Sequence, residues 1–374
     1  MPTRLRAAHV YKAFPPVRGG IEGHIALLTR LLSQRGVLAE VICARARGTL
    51  AIEEYSGVRI RRCATPFTVA STPLPPLLPW ALRRSRADIV HLHLPWPPGE
   101  VAWLLGGRAR PLVVTVHCEA VRHARLARLL SPLTQRVLST ARRIVVTGAF
   151  MREAPFLAAH RNRVQVVPLG VDLDHFRPAP PLPDPLPGVA RPRVLFVGRL
   201  RHYKGLPILA AALRRIPELS LIVVGEGPEH KNFETALCDN DCRERAHLLG
   251  EVDDERLLRL FQTADTVVLP STSNAEAFGL AIAEAQACGV PAVTTNVGTG
   301  TAQTVADGVS GRIVPPNDPA ALAEALRWCL DRRNADTRRH AARAHAEAEL
   351  CAERMAAMIH AVYTDVIAEP VGGV

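Results

Sequence analysis

Short apolar runs punctuate this chain, and between them apolar residues recur with the period of a helix. The first runs are RAAHVY (6–11), AEVICA (39–44), VRIRRC (58–63), ADIVHLHL (87–94), PLVVTVH (111–117) and RRIVVTG (142–148), and RVQVVPLGV (163–171) closes the series. Several are almost continuously apolar, the pattern of strands covered by helices on both faces of a parallel sheet. Strands alternating with helices in this way give an α/β architecture. The stretch RPAPPLPDPLPGVARP (177–192) then interrupts the pattern. Its prolines forbid helix and withhold ladder hydrogen bonds, so it reads as a linker. The alternation restarts with RVLFVGR (193–199), LSLIVVGEG (219–227), AHLLGEV (246–252), DTVVLPS (265–271), PAVTTNVG (291–298) and GRIVPP (311–316). From about Asp318 to Ala368 the helical period takes over, opened by NDPAALAEAL with a capping Asn or Asp and a Pro in the first turn. The division predicted is 1–176 for a first domain, 177–191 for the linker, 192–350 for a second domain and 351–374 for a terminal helical segment.

Length agrees with this division, because 374 residues exceed what one hydrophobic core usually serves. No apolar run is long enough to span a bilayer, and MPTRLRAAHVYKAF lacks the apolar centre of a signal peptide, so a cytoplasmic location is expected. Eight cysteines scattered from Cys43 to Cys351 fit free thiols better than a disulfide framework. Charge changes the picture more. Residues 1–180 hold 26 Lys and Arg against 10 Asp and Glu, a balance of +16, while the remainder carries −5. A basic first half points to an anionic partner: phospholipid headgroups, a diphosphate-bearing lipid or nucleic acid. The competing explanation is compositional, since all but three of the 46 basic residues are arginine. With 5% aromatic residues and no basic–aromatic interleaving, base stacking is disfavoured and a nucleic-acid partner is not expected.

In open parallel sheets ligands bind beyond the carboxyl ends of the strands. In the second half those ends carry Gly198-Arg199, Gly225-Glu226-Gly227, Pro270-Ser271 and the segment AEAFGLAIAEAQACGVP (275–291). Arg199 and Lys204, close together in FVGRLRHYKG, suit a diphosphate: one offers a planar fork, the other a point charge. Gly225 and Gly227 match only the start of a dinucleotide fingerprint, but allow a base or ribose to approach the backbone beside Glu226. In the last segment a helix is predicted to open near Phe278–Leu280, its free N–H groups forming an anion site. Glu276 precedes that helix and Glu284 lies inside it, ~6–9 Å along the axis. Two acids astride an anion site suit a nucleotide sugar, with sugar hydroxyls at one end, ribose hydroxyls at the other and diphosphate between. The alternative for either glutamate is a surface side chain or a core salt bridge.

RLRHYKG, EAFGLAIAEAQACGVPAV and VADGVSGRIVPPNDP together resemble the donor-domain signature of the family 4 glycosyltransferases, and Glu276 and Glu284 match that family's E-x7-E spacing. PPVRGGIEGHI, ADIVHLHLPWPP and PLVVTVHCEAVRHARL extend the resemblance to the first half, so that it covers essentially the whole chain. The subgroup most resembled comprises bacterial polysaccharide mannosyl- and rhamnosyltransferases. The resemblance implies the GT-B architecture: two Rossmann-like α/β domains, their parallel sheets facing a central cleft, the first binding acceptor and the second donor, with the last helix crossing back to the first. It implies a retaining transfer of a hexose from a nucleotide-diphosphate sugar, with no cofactor and no metal, to a glycan or polyprenyl-diphosphate-linked acceptor at the membrane's inner face. GDP-sugars are favoured over UDP-sugars as donor. The implied catalytic groups are Arg199 and Lys204 on the departing diphosphate, Glu276 on sugar hydroxyls and His117 on the donor sugar. Glu284 would hold the ribose, the amides of Phe278, Gly279 and Leu280 would meet phosphate oxygens, and Gly19 and Gly20 would close over the diphosphate, with Gly225 and Glu226 also lining the donor site.

Two departures stand out. The subgroup usually reads H-S-D-I-V-R-Q where this chain has His117-Cys118-Glu119-Ala120-Val121-Arg122-His123, and a serine often stands where Gly148 does. His91, His93 and His117 also allow a metal reading, which lacks a well-spaced carboxylate beyond Glu119. A nucleotide-sugar epimerase of similar plan would need acid and base carboxylates from the first domain, and Glu119 is its one candidate.

Overall fold

The computed structural model describes residues 4–17, 19–45, 50–69, 72–117, 124–179 and 183–369, without the side chains of 124–127. Cys118 and Glu119 lie outside them, and with them the epimerase candidate. The chain forms two compact units, one of Met1–Leu169 with Ala352–Val374, the other of Gly170–Cys351.

The first unit contains β1 (Arg6–Tyr11), α1 (Gly20–Gln34), β2 (Leu38–Arg45), β3 (Ala51–Tyr55), β4 (Val58–Ala64), β5 (Phe67–Val69), β6 (Thr72–Leu74), α2 (Leu78–Arg83), β7 (Ile89–Leu94), α3 (Pro97–Ala102), β8 (Leu112–Val116), α4 (Ala124–Thr140), β9 (Arg143–Val146), α5 (Ala149–Arg152) and β10 (Val164–Val166). Its sheet runs β10-β9-β8-β7-β1-β2-β4-β3, parallel throughout except where β3 pairs antiparallel with β4. The sequence reading missed β3 and the small β5–β6 hairpin. β3 is an edge strand whose Glu53 and Glu54 are exposed, so no apolar run betrays it. Its one signal is the turn at Ser56-Gly57, both at positive φ, the geometry of a two-residue hairpin.

Strand alternation divides this sheet chemically. Ala8, Val10, Ile42, Val90, Leu92 and Val114 face one apolar core. The intervening positions put His9, His91, His93 and Thr115 on the opposite face, all buried.

The second unit contains β11 (Arg193–Val197), α6 (Leu206–Leu213), β12 (Ser220–Val224), α7 (His230–Asp239), β13 (Ala246–Leu248), α8 (Asp254–Thr263), β14 (Thr266–Leu269), α9 (Leu280–Ala287), β15 (Ala292–Thr295), β16 (Gly311–Val314), α10 (Pro319–Leu330) and α11 (Ala335–Glu349). Its sheet is wholly parallel, in the order β13-β12-β11-β14-β15-β16. The proline-rich stretch is seated on this unit: Leu186 joins its core, and the buried Arg193 pairs with Asp184 at 2.6 Å. Asp318 caps α10 by accepting from the amides of Ala320 and Ala321, with Pro319 in the first turn. The final helix, α12 (Ala352–Ala368), returns to the first unit and buries Met355, Ile359, Val362, Tyr363 and Val366. Full burial of such side chains contributes ~1.5–3 kcal/mol each.

Candidate functional site

Four strand ends of the second unit supply the side chains that sequence singled out. Beyond β11, Gly198 at φ +150° leads to Arg199 and a short 3-10 turn, His202–Lys204. Gly205 closes that turn at φ +68°, so close to the neighbouring strand end that a Cβ there would lie 1.9 Å from the carbonyl oxygen of Pro270. Only glycine fits, and the contact fixes where Lys204 points.

Lys204 points at Glu276. Its Nζ donates to Oε2 at 2.5 Å, and Ser271 Oγ lies 3.4 Å from the same oxygen. Both partners of the pair are about nine-tenths buried. Burial opposes the ammonium charge, but Glu276, Tyr203 and the hydrogen bond to Glu276 together hold Lys204 above the usual lysine range. The two groups expected to meet different parts of a ligand therefore neutralise each other.

The loop carrying Glu276 is clamped from behind. Thr299 Oγ1 donates to the Glu276 carbonyl at 2.6 Å, and the Gly300 amide donates to that of Ala277 at 3.0 Å. On the other side the Thr272 amide donates to the Tyr203 carbonyl at 2.8 Å, tying the lysine turn to the β14 end. Sequence reasoning placed Ser271 at a strand end without giving it a role, and did not single out Thr272 or Thr299. The runs STSN (271–274) and TGT (299–301) carried the signal, as hydroxyls crowded at strand ends.

Past the buried Phe278, Gly279 adopts φ +83° and starts α9 without a side-chain cap. Its first N–H groups are thus left for a ligand or water. Glu284 sits one turn inside, half-buried, and its carboxylate has no hydrogen-bond or ion-pair partner among the described residues. Burial, and then the neighbouring charge of Asp254, push its carboxyl up to about 8. Arg199 is exposed and likewise has no side-chain partner among the described residues. At the β12 end Gly225 takes φ +125°, where a Cβ would meet the Gly198 carbonyl oxygen at 2.3 Å. Glu226 beside it is exposed, with His230 Nδ1 3.3 Å away. This unit therefore joins Lys204 to Glu276 directly and places an uncapped helix start and an unpartnered acid on one element, α9.

The remaining candidates belong to the first unit. Gly19 and Gly20 are exposed at the start of α1, where Gly19 is extended and unstrained. His117 follows β8, buried, with Nε2 3.0 Å from His93 Nδ1 and with Nδ1 lacking a partner among the described residues. Behind it His93 Nε2 meets His9 Nδ1 at 3.1 Å, and Tyr363 Oη bridges His9 Nε2 at 3.2 Å and His91 Nδ1 at 2.6 Å. His91 Nε2 ends on Thr115 Oγ1 at 2.6 Å. Sequence reasoning named His91, His93 and His117 but missed His9 and Tyr363. The signal for His9 was its place in the centre of an otherwise apolar strand; Tyr363, 272 residues from His91, had none. His9, His91 and His93 bring ligand nitrogens within 4.8 Å of one another, near enough for a shared metal ion, yet every one of those nitrogens already takes part in the chain just described.

Comparison with known proteins places both units. Residues 186–348 match the family model described as glycosyl transferases group 1, and residues 18–175 match that of glycosyltransferase family 4. D-rhamnosyltransferase WbpZ of Pseudomonas aeruginosa is 32% identical over 330 residues, covering 87% of this chain and 86% of that protein. O-antigen chain mannosyltransferase C of Escherichia coli is 30% identical over 339 residues, covering 86% and 88%. Among solved structures, sucrose-phosphate synthase from Thermosynechococcus elongatus superposes with a TM-score of 0.80 at 23% identity, over 98% of this chain and all of that one.

Proposed function

The chain belongs to the family 4 glycosyltransferases of GT-B fold, and from that premise we propose that it transfers mannose or a closely related hexose from a GDP-sugar, with retention of anomeric configuration and without an obligatory metal, to a glycan carried on polyprenyl diphosphate. The relatives named for rhamnosyl and mannosyl transfer support the sugar class. The observation that carries the donor site is the Lys204–Glu276 pair poised beside an uncapped helix whose own acid, Glu284, is unpartnered.

Each group then has a distinct task. Glu276 exchanges part of its bond to Lys204 for the hydroxyls of the donor sugar. That frees Lys204 to share its charge with the departing diphosphate, together with Arg199 and the amides of Phe278, Gly279 and Leu280. Fixed donors aimed at the oxygen that gains charge stabilise the transition state more than the ground state. These protein cations and amides supply the compensation a divalent ion gives elsewhere. Glu284 accepts from the ribose hydroxyls, Gly225 and Glu226 flank the nucleoside, Gly19 and Gly20 approach the diphosphate, and His117 meets the sugar.

A membrane-bound acceptor accords with the surface of the first unit. Trp80 on α2, Leu105 in the helical turn after α3 and Leu129 on α4 are exposed large apolar residues, and Arg83, Arg84, Arg108 and Arg128 are exposed near them in sequence. The Arg84 guanidinium lies 4.5 Å over the Trp80 ring. Each arginine at an anionic bilayer contributes ~1 kcal/mol. No helix among the described residues is long and apolar enough to cross a membrane, so contact would be peripheral.

The test is a transfer assay with a polyprenyl-diphosphate-linked glycan and GDP-, UDP-, ADP- and dTDP-hexoses, with and without EDTA. The expected result is transfer from the GDP-sugar, unaffected by chelation, giving an α-linked product from an α-linked donor. A β-linked product would contradict retention, and activity restored only by added metal would contradict metal independence.

A further inference from the structure

We propose that Thr115, His91, Tyr363, His9 and His93 form a hydrogen-bonded relay that holds His117 in its Nδ1–H form, as a donor presented to an acceptor oxygen of the bound sugar. The proposal rests on the reading that His117 meets the donor sugar, and it adds which proton His117 carries and what sets it.

The five links run in series: Thr115 Oγ1 to His91 Nε2 at 2.6 Å, His91 Nδ1 to Tyr363 Oη at 2.6 Å, Tyr363 Oη to His9 Nε2 at 3.2 Å, His9 Nδ1 to His93 Nε2 at 3.1 Å, and His93 Nδ1 to His117 Nε2 at 3.0 Å. Each link needs one proton. A neutral imidazole or a hydroxyl has only one to give. The rings are neutral: burial, helped by their mutual repulsion, drives His91 and His93 far below the ordinary range, burial drives His117 there too, and His9 falls to about 3. The bonds therefore point the same way along the chain, leaving one proton over at one end. The alternative, in which Tyr363 accepts from both His91 and His9, would leave its own buried hydroxyl proton without an acceptor among the described residues.

If the chain pointed inward, the spare proton would be the hydroxyl proton of Thr115. That residue is buried in the strand interior, and His91 is its one hydrogen-bond partner among the described residues. A buried donor without an acceptor is rare and costly. If it points outward, the spare proton is on His117 Nδ1, which has no partner among the described residues and stands just past the end of β8. Strand carboxyl ends are where parallel sheets bind ligands. A sugar oxygen can satisfy the proton there, and no acceptor among the described residues can at Thr115. His24 does not compete, because its ring packs edge-on against that of His117 at 5.2 Å and burial holds it neutral, down to about 4. All four rings of the chain are then Nδ1–H. Tyr363 is a positioning residue, and α12, which carries it, contributes to donor recognition as well as to packing.

The test is long-range ¹H–¹⁵N correlation NMR on protein labelled with ¹⁵N in its histidine rings, without nucleotide. The expected result is Nδ1–H for His9, His91, His93 and His117, with His117 losing its exclusive Nδ1–H signature in both Tyr363→Phe and Thr115→Val. The second variant answers if the first fails to fold. An Nε2–H form of His117 in the unaltered protein, an unchanged His117 signature in a folded variant of either kind, or one equivalent of tightly held metal on His9, His91 and His93 would overturn the relay. If the rings behave as expected but GDP-mannose leaves the His117 signals unmoved, the relay stands and the sugar contact falls.

Discussion

Glu284 gives a prediction with a number attached. Its carboxyl is held at about 8, against an ordinary 4.5, because it is partly buried on α9 and lies near Asp254. At pH 7 the free protein therefore carries this side chain about nine-tenths protonated. A ribose diol donating to it favours the carboxylate, which is then stabilised by two charge-assisted hydrogen bonds. If those bonds return the group to its ordinary value, binding a nucleotide sugar at pH 7 releases ~0.9 proton, and Kd falls about ninefold between pH 6 and pH 7. Isothermal titration calorimetry with GDP-mannose in buffers of different ionisation enthalpy reads the proton directly, and Glu284→Gln should abolish the release. Heats that do not depend on buffer, or a proton still released by Glu284→Gln, would refute the assignment of Glu284 to the ribose.

The same group links stability to pH. Since folding raises its pKa, the folded state binds the extra proton between about 4.5 and 8, so stability falls as pH rises through that window and levels off above it. Glu284→Gln should match the parent at pH 4 and exceed it by ~2 kcal/mol at pH 8.5, allowing for partial exposure, a difference of a few degrees in Tm by calorimetry. Lys204→Met strands the buried Glu276 carboxylate and should destabilise the second unit by ~3 kcal/mol, with Glu276→Gln added in the same chain restoring part of the loss in denaturant titration. Gly205→Ala forces a Cβ into the Pro270 carbonyl oxygen at φ +68° and should cost more than ~2 kcal/mol or prevent soluble expression. Replacing Trp80, Leu105 and Leu129 by serine should reduce sedimentation with phosphatidylglycerol vesicles.

The strands were readable because helices cover them: runs such as VVTV and LIVV have no polar alternation to confuse with helix. β3 was not, since an exposed edge strand needs no apolar side chains, and AIEEY reads as loop. Spacing brought out Glu276 and Glu284 because one loop and one helix carry both. It could not show that Lys204, 72 residues earlier, bonds to Glu276, for that depends on the β11 and β14 ends lying side by side. The histidines show the same limit more sharply. HLHL places His91 and His93 on one face from sequence alone, but their partners come from β1, β8 and α12, and only the assembled sheet reveals one continuous chain of bonds.

The most direct measurement is a crystal structure of the protein grown with a GDP-sugar. The account expects diphosphate oxygens within hydrogen-bond distance of the Gly279 and Leu280 amides and of Lys204, sugar hydroxyls on Glu276 and the ribose diol on Glu284. A nucleotide bound away from α9, or a Lys204–Glu276 pair left intact with its surroundings unchanged by saturating ligand, would contradict it.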